Sequence, residues 1–282
     1  MKKDKLARTK PYYLKLKDPQ KFLKHYLNIY NRDYGKSRAR KIISLFPKLK
    51  YKKVLDIGCG GGFYSLAASK RKCKDITLVD ISPVCVKAAK LNLKNAGLSS
   101  EGVIADASYL PLKSGGFDFV LCIDLIEHLE KDHMLLCEIR KVLKDNGLVL
   151  IATQNSYSIN YLLEAPIQRY VLKNKSWMGW DPTHKRFYTQ KRLIRILGSC
   201  GLACIKIAGN YFIPYLMATW FNKVSRRFSR TLYQILKLIN DKLESNQNAF
   251  WSSFGWGLIC LCVKMHGSKR TLLEKGSFGK IA

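Results

Sequence analysis

The segment Val54-Leu-Asp-Ile-Gly-Cys-Gly-Gly-Gly-Phe63 carries the residue types and spacing most suggestive of chemistry. Glycines at 58, 60 and 62 let a backbone pass close to a ligand, and a helix starting after them offers its free N–H groups to it. The dinucleotide spacing G-x-G-x-x-G counted from Gly58 requires glycine at 63, where the chain has Phe63. The run reads instead D-x-G-x-G-x-G from Asp56. Asp80 ends the next apolar run, 24 positions later, where a carboxylate can accept both hydroxyls of a ribose; its other use is to cap the following helix. Two imidazoles, His128 and His184, can titrate near neutrality and serve as general bases. His128 reads as a structural residue packed under a strand. His184, in Asp181-Pro-Thr-His-Lys-Arg-Phe187, reads as a substrate contact or as a cap of the next helix.

Positioning these residues falls to a regular alternation. Strands are predicted at Val54–Ile57, Ile76–Asp80, Val103–Ala105, Phe117–Ile123, Leu148–Thr153, Leu202–Ala208 and Leu258–Met265, and helices at Phe63–Ser69, Pro83–Ala96, Asp132–Leu143 and Gln190–Ser199. This βαβα repetition calls for a Rossmann-like, doubly wound α/β fold with a mostly parallel seven-stranded sheet covered on both faces. Gly97, Gly147 and Gly201 are expected in left-handed positions after helices. Upstream, Asp18-Pro19 opens a helix to about Asn31, and a second runs from Ser37 to Phe46 with Ile42, Ile43 and Phe46 inward. The expected organisation is a basic helical extension 1–52, a main domain 53–265 with a helical insertion 215–244 between the last two strands, and a basic flexible tail 266–282.

Four stretches together resemble the class I S-adenosylmethionine-dependent methyltransferases: Val54–Gly62, Leu78-Val-Asp-Ile-Ser82, Ala105-Asp-Ala-Ser-Tyr-Leu-Pro-Leu112 and Phe117-Asp-Phe-Val-Leu-Cys-Ile-Asp-Leu-Ile-Glu-His-Leu129. The ending Glu127-His128-Leu129 looks like the small-molecule and lipid/quinone branch, type 11. The resemblance implies S-adenosylmethionine as cofactor, held by Asp56, Gly58, Cys59, Gly60, Gly62, Asp80, Ile81, Asp106, Ala107 and Ile123. It puts Asp80 on the ribose, Asp106 with the Ala107 backbone on the adenine, Asp56 toward the methionine amino group, and Ile123, with Asp124 after it, beside the methionine end. Its other uses stay open: Asp106 as an ordinary loop residue and Asp124 as a solvated acid. No metal site is expected. A sulfonium methyl is already activated, so alignment in a water-poor pocket does most of the work, with His184 as the candidate base for a hydroxyl acceptor.

Charge bears on partners. The 282 residues carry 50 Lys+Arg against 20 Asp+Glu, net +30. Residues 1–53 hold 18 basic and 3 acidic side chains, 54–155 hold 12 of each, and 156–282 hold 20 and 5. A neutral middle between basic flanks predicts an anionic partner: a membrane surface, RNA or a phosphorylated substrate. In 215–244 apolar residues fall at Met217, Phe221, Val224, Phe228, Leu232, Ile235, Ile239 and Leu243, three or four apart, with basic residues mostly off that stripe. It reads as an interfacial membrane helix, or as one packed on the protein's own core or a second copy. The favoured function is O-methylation of a small, lipidic or membrane-delivered acceptor. The alternative is an RNA methyltransferase with Tyr12, Tyr13, Tyr26 and Tyr30 stacking on bases. Asn/Asp-Pro-Pro-Tyr/Phe, Pro-Cys and paired-glutamate signatures of nucleic-acid and arginine methylation are absent after Phe117–Ile123. The nine cysteines include no C-x-x-C and suit buried, reduced thiols in a cytoplasmic protein, peripheral to a membrane at most. Neither a secretion signal nor a membrane-crossing helix is expected.

Overall fold

The computed structural model describes residues 16–50, 52–73, 75–175, 177, 181–213, 226–245 and 249–265. The N-terminal arm with Tyr12 and Tyr13, the first part of the apolar stripe (Met217, Phe221, Val224) and the tail 266–282 lie outside the described residues, as does the side chain of Phe228.

Two helices, α1 (Pro19–Tyr30) and α2 (Asp33–Ser44), precede an alternation of strands and helices. It runs β1 (Lys53–Ile57), α3 (Phe63–Ser69), β2 (Asp75–Asp80), α4 (Pro83–Asn95), β3 (Glu101–Ile104), β4 (Phe117–Ile123), α5 (Asp132–Val142) and β5 (Leu143–Gln154). Then come α6 (Ile159–Pro166), extended by a wider helical turn over Ile167–Val171, α7 (Gln190–Ser199), β6 (Leu202–Asn210), α8 (Arg226–Ser245), α9 (Ala249–Ser252) and β7 (Gly257–Lys264). The sheet order is β3-β2-β1-β4-β5-β7-β6. Its first five strands are parallel, and β7 inserts antiparallel between β5 and β6. Residues 54–57 and most of β4 are buried, as a parallel sheet covered on both faces requires. The Rossmann-like reading holds.

Three local expectations change. Helix α2 starts four residues early because Gly35 lets its first turn lie on the end of α1: a Cβ there would stand 2.2 Å from the Ile29 carbonyl oxygen. Strand β5 begins directly at the end of α5, and the left-handed residue in that turn is Asn146 (φ 62°), with Gly147 outside the left-handed region. Gly97 and Gly201 are left-handed as expected. Four of the nine cysteines are buried, Cys59, Cys122, Cys260 and Cys262; the others are half-buried or, at Cys137, exposed.

The helices before residue 53 share the main core. Ala39, Ile42, Leu45, Phe46 and Leu49 are buried in one cluster with Val54, Leu78, Phe119 and Leu121. Tyr26 and Tyr30, proposed above to stack on bases, are engaged within the protein: Tyr30 lies on the Phe63 ring at 3.9 Å, and Tyr26 packs on the glycine turn.

Helix α8 docks differently from its sequence stripe. Its seat on α2 is polar and aromatic: Glu244 accepts from the Ser37 hydroxyl and from the Tyr211 N–H (2.8 Å), Asn240 accepts from the Phe212 N–H (2.7 Å), and Tyr233 donates to Asp33. Stripe residues Ile235 and Ile239 stay 48% and 50% exposed, with Leu238 beside them. Among the described residues no helix is long and apolar enough to cross a membrane.

If α2 is built into the fold, Ile42→Ala should cost about 2–5 kcal/mol, the typical loss for truncating a fully buried isoleucine, read from the urea midpoint. An appendage that folds apart from the sheet would leave the main transition unmoved.

Candidate active site

The glycine turn leaves β1 at the carboxyl edge of the sheet. Gly58, Gly60 and Gly62 have φ of +73°, +51° and +71°, a region that side chains with a Cβ rarely adopt. The N–H groups of Gly58 and Cys59 both donate to the Val79 carbonyl, at 2.8 and 3.0 Å, pinning the turn to β2. Space is as restrictive as torsion: a Cβ on Gly61 would lie 2.4 Å from the Tyr26 ring, and one on Gly62 would lie 3.0 Å from Ala89.

Asp80 closes the turn from the other side. Its carboxylate accepts the Gly60 N–H at 3.1 Å and the Ser82 N–H at 2.9 Å. Ser82, in extended conformation, caps α4, so Asp80 is free of that duty. Ile81 follows it at the strand end, 70% exposed. The Asp80 carbonyl accepts from Ala105 at 3.2 Å, which brings the β3 exit alongside. There Asp106 is exposed and holds the Ser108 N–H at 2.8 Å, while Ala107 is buried. Beneath the turn, Asp56 is buried and accepts the Ser65 hydroxyl at 2.6 Å. Burial, opposed by that hydrogen bond and reinforced by Asp80, pushes its pKa up to about 7.

The end of the cleft beside β4 is built around a residue the spacing argument did not single out. Arg38 of α2 is buried and pairs with Asp124 through two nitrogens, Nε at 3.2 Å from Oδ2 and the second by a shorter contact to Oδ1. It also donates to Asn210 at the end of β6, at 3.2 Å. Asp124 follows β4 with φ +51°, and Ile123 before it is buried. The nearby Tyr64 hydroxyl, Asn210 amide nitrogen and Gln154 amide oxygen are buried without hydrogen-bond partners. Orphaned polar atoms at this density mark a place made for a polar ligand.

Next to it, Glu127 is fully buried; one oxygen accepts from Thr153 at 2.8 Å and the other has no partner. Burial, then Asp124, pushes its carboxyl up to about 8. The structural reading of His128 is corrected: its ring is half-buried and faces His184, with centroids 4.8 Å apart, while Glu127 takes the interior place. The Thr183 hydroxyl donates to Asp181 at 2.6 Å and is hydrogen-bonded to His128 Nδ1 at 3.0 Å. His184 does not cap α7; Thr189 does. Its buried Nδ1 has no partner, and burial followed by His128 pulls its pKa down to about 4, so the ring is neutral at pH 7. Glu127, His128 and His184 each bring one ligand atom within 4.8 Å of the others, close enough for one divalent cation to reach all three.

Comparison with known proteins follows the same lines. Residues 55–151 match a family described as methyltransferase domain. Among curated relatives, a ubiquinone biosynthesis O-methyltransferase of Idiomarina loihiensis is 31% identical over 168 residues, 58% of this chain and 66% of the relative. One from Pelagibacter ubique is 32% identical over 176 residues, 61% of this chain and 70% of the relative. The match therefore spans about two thirds of each relative's length. Among solved structures, an S-adenosylmethionine dependent methyltransferase from Mesorhizobium loti superposes with a TM-score of 0.53 at 13% identity, covering 80% of this chain and 96% of that one. A SAM dependent methyltransferase from Aquifex aeolicus gives 0.53 at 19%, covering 68% and 92%. At those identities the structures speak for the fold alone.

Asp56 makes stability depend on pH. With its folded pKa near 7 against an ordinary 3.8, the folded state holds an extra proton between those values, so stability falls as pH rises from about 4 to 7 and then levels. Relative to Asp56→Asn, the wild type should lose up to about 1.4 kcal/mol per pH unit in that window, measured by urea unfolding. Parallel curves for the two proteins would show that Asp56 titrates like an exposed carboxyl.

Proposed function

We propose that this chain, which belongs to the class I S-adenosylmethionine-dependent methyltransferases, methylates a hydroxyl on an apolar, quinone-type ring drawn from a membrane surface. The cofactor fits the cleft on two observations: a glycine turn at positive φ that sets backbone, without side chains, beside Asp80, and buried unpartnered polar atoms around Arg38. When bound, it supplies an activated methyl on a sulfonium.

The chain's own residues do the rest. Asp80 offers its carboxylate to the ribose, Ile81 an apolar face to the adenine, and Asp106 with the Ala107 backbone the adenine edge. Gly58, Cys59, Gly60 and Gly62 bring backbone close, and Ile123 walls the methyl end. Arg38 and Asp56 meet the charged amino-acid end, where a buried guanidinium suits a carboxylate. His184, neutral at working pH, accepts the hydrogen of the acceptor hydroxyl, and Glu127, with its carboxyl protonated, keeps negative charge away from that hydroxyl.

The single observation that carries the acceptor class is the two-sided roof over the histidines. Its inner side is aromatic: the Phe187 ring lies 5.4 Å from His184 and 4.8 Å from Tyr161, which stacks on Trp177 at 5.7 Å. On the outer side of the same segment Leu162, Leu163, Tyr170, Val171 and Leu172 are exposed. Together with Ile235, Leu238 and Ile239 of α8, this is apolar surface suited to a lipid interface. The relatives named for ubiquinone biosynthesis support both the hydroxyl and the quinone-type ring.

Asp80→Ala should weaken S-adenosylhomocysteine binding by about 1.5–3 kcal/mol in calorimetry, with the fold intact by circular dichroism. Gly60→Val should abolish binding, since the added atoms meet the Tyr26 ring at 2.9 Å and φ is +51°. Normal binding in both would remove the cofactor assignments. Separately, changing Ile235, Leu238 and Ile239 to Ser should release the protein from anionic vesicles in flotation while shifting stability by less than about 0.5 kcal/mol per site. With labelled cofactor, the methyl should appear in phenolic lipid extracts; label in RNA instead would sink the acceptor reading.

A further inference from the structure

On the sheet face covered by α5 and α7, three thiols meet across the two outermost strands. Cys204 of β6 stands opposite Cys262 of β7 in the antiparallel register, and Cys260 lies two positions along β7. The same rungs place Val149 of β5 beside Cys262, five residues back from Gln154 and hence about 17 Å below the cleft. Cys204 is within hydrogen-bonding reach of both neighbours. It is half-buried on an edge strand, whereas Cys260 and Cys262 are fully buried.

Geometry distinguishes the two neighbours. Directly opposite residues of an antiparallel pair have Cα atoms about 4.5–5.5 Å apart, inside the 4.4–6.8 Å a disulfide spans. In a regular ladder a diagonal pair such as Cys204 and Cys260 lies farther apart, at about 7–8 Å, and β6 shifts register between Cys204 and Lys206 on the Cys260 side. We propose that Cys204 and Cys262 form an oxidisable dithiol: an accessible nucleophile and a buried resolving partner, for which the co-reactant is a small hydroperoxide.

The order of roles follows from exposure and hydrogen bonding. Hydrogen bonding shared with Cys260 first and then Cys262 pulls the Cys204 thiol down, while the same sharing, and then burial, push theirs up; the Cys204 thiol itself donates to the Lys206 carbonyl at 3.4 Å. Thiolate character plus access is what peroxide selects. In the first step the Cys204 thiolate attacks one peroxide oxygen, the O–O bond breaks, and hydroxide leaves and takes a proton to become water, giving a sulfenic acid. In the second the Cys262 sulfur attacks the Cys204 sulfur, the S–O bond breaks, and the hydroxyl leaves with the Cys262 proton as water. Two thiols are oxidised by two electrons and one peroxide is reduced to two waters.

A second thiol contact provides an internal control. Cys137 of α5, exposed, and Cys200 at the end of α7 are also within hydrogen-bonding reach, but Cys200 is pushed up to about 11, by burial first and then by Cys137.

The test treats the full chain with stoichiometric hydrogen peroxide, blocks remaining thiols with iodoacetamide, and maps non-reduced peptides by mass spectrometry. Expected is a Cys204–Cys262 linked peptide, loss of two of the nine titratable thiols, and full recovery with dithiothreitol. Cys262→Ser should leave a sulfenic acid at Cys204 that dimedone captures, and Cys204→Ala should abolish both products. Oxidation confined to Cys137 or Cys200, a Cys204 link between two chains, or an unreacted Cys204 overturns the proposal. Wild-type mapping alone decides it if either variant fails to fold.

Discussion

A guanidinium with almost no contact with water holds the cleft together. Arg38 pairs with Asp124 and reaches Asn210, so α2, the exit of β4 and the end of β6 are fixed to one charged group. Burying a charge is costly, and since Arg38 is buried while the Asp124 side chain is 37% exposed, removing Asp124 is the costlier break because it leaves the guanidinium uncompensated. The same pairing holds Asp124 at φ +51°, a conformation an aspartate adopts only when its surroundings impose it. The neighbouring turn depends on the same packing: α1 and α2 are joined through Gly35, and α1 carries Tyr26 onto Gly60 and Gly61. Glycine turn and ion pair are thus two contacts of one docked helical pair.

Dryness has a second consequence. Burial raises the carboxyls of Asp56, Asp80 and Glu127 and lowers the imidazole of His184, so negative charge is restrained in the cleft while the His184 ring stays neutral. Methyl transfer from a cation to a hydroxyl disperses charge as it proceeds. A water-poor pocket with few fixed anions favours that course and excludes water as a competing acceptor.

The outer surface carries the other half of the functional argument. Helix α8 seats its polar and aromatic side on α2, which leaves Ile235, Leu238 and Ile239 turned out. Segment 159–172 likewise places Tyr161 toward Phe187 and leaves leucines outside. Both elements touch the core through their less apolar sides, an inversion of ordinary amphipathic packing that suits a surface meeting lipid.

Most strand and helix positions were legible because they follow from local periodicity: Phe63–Ser69, Phe117–Ile123 and Gln190–Ser199 fall where the pattern puts them. The glycine turn was legible because glycine adopts φ near +50° to +75° without the strain a Cβ brings, and Asp80 because a strand end places it. Arg38 was not: it is one of 18 basic residues before position 54, and its partner Asp124 lies 86 residues away. The exchange of roles between His128 and Glu127 was hidden for the same reason, since adjacent residues on a short helical turn give no sign of which faces inward. The apolar stripe of α8 was read correctly as a stripe, but its side of attachment came from Asn240 and Glu244 meeting backbone N–H groups elsewhere in the chain. Sequence determines what depends on neighbours along the chain: turn torsions, periods and caps. Burial of charge, shifted protonation and the choice of inner face depend on what the folded chain brings within a few ångströms, and only the tertiary structure decided them.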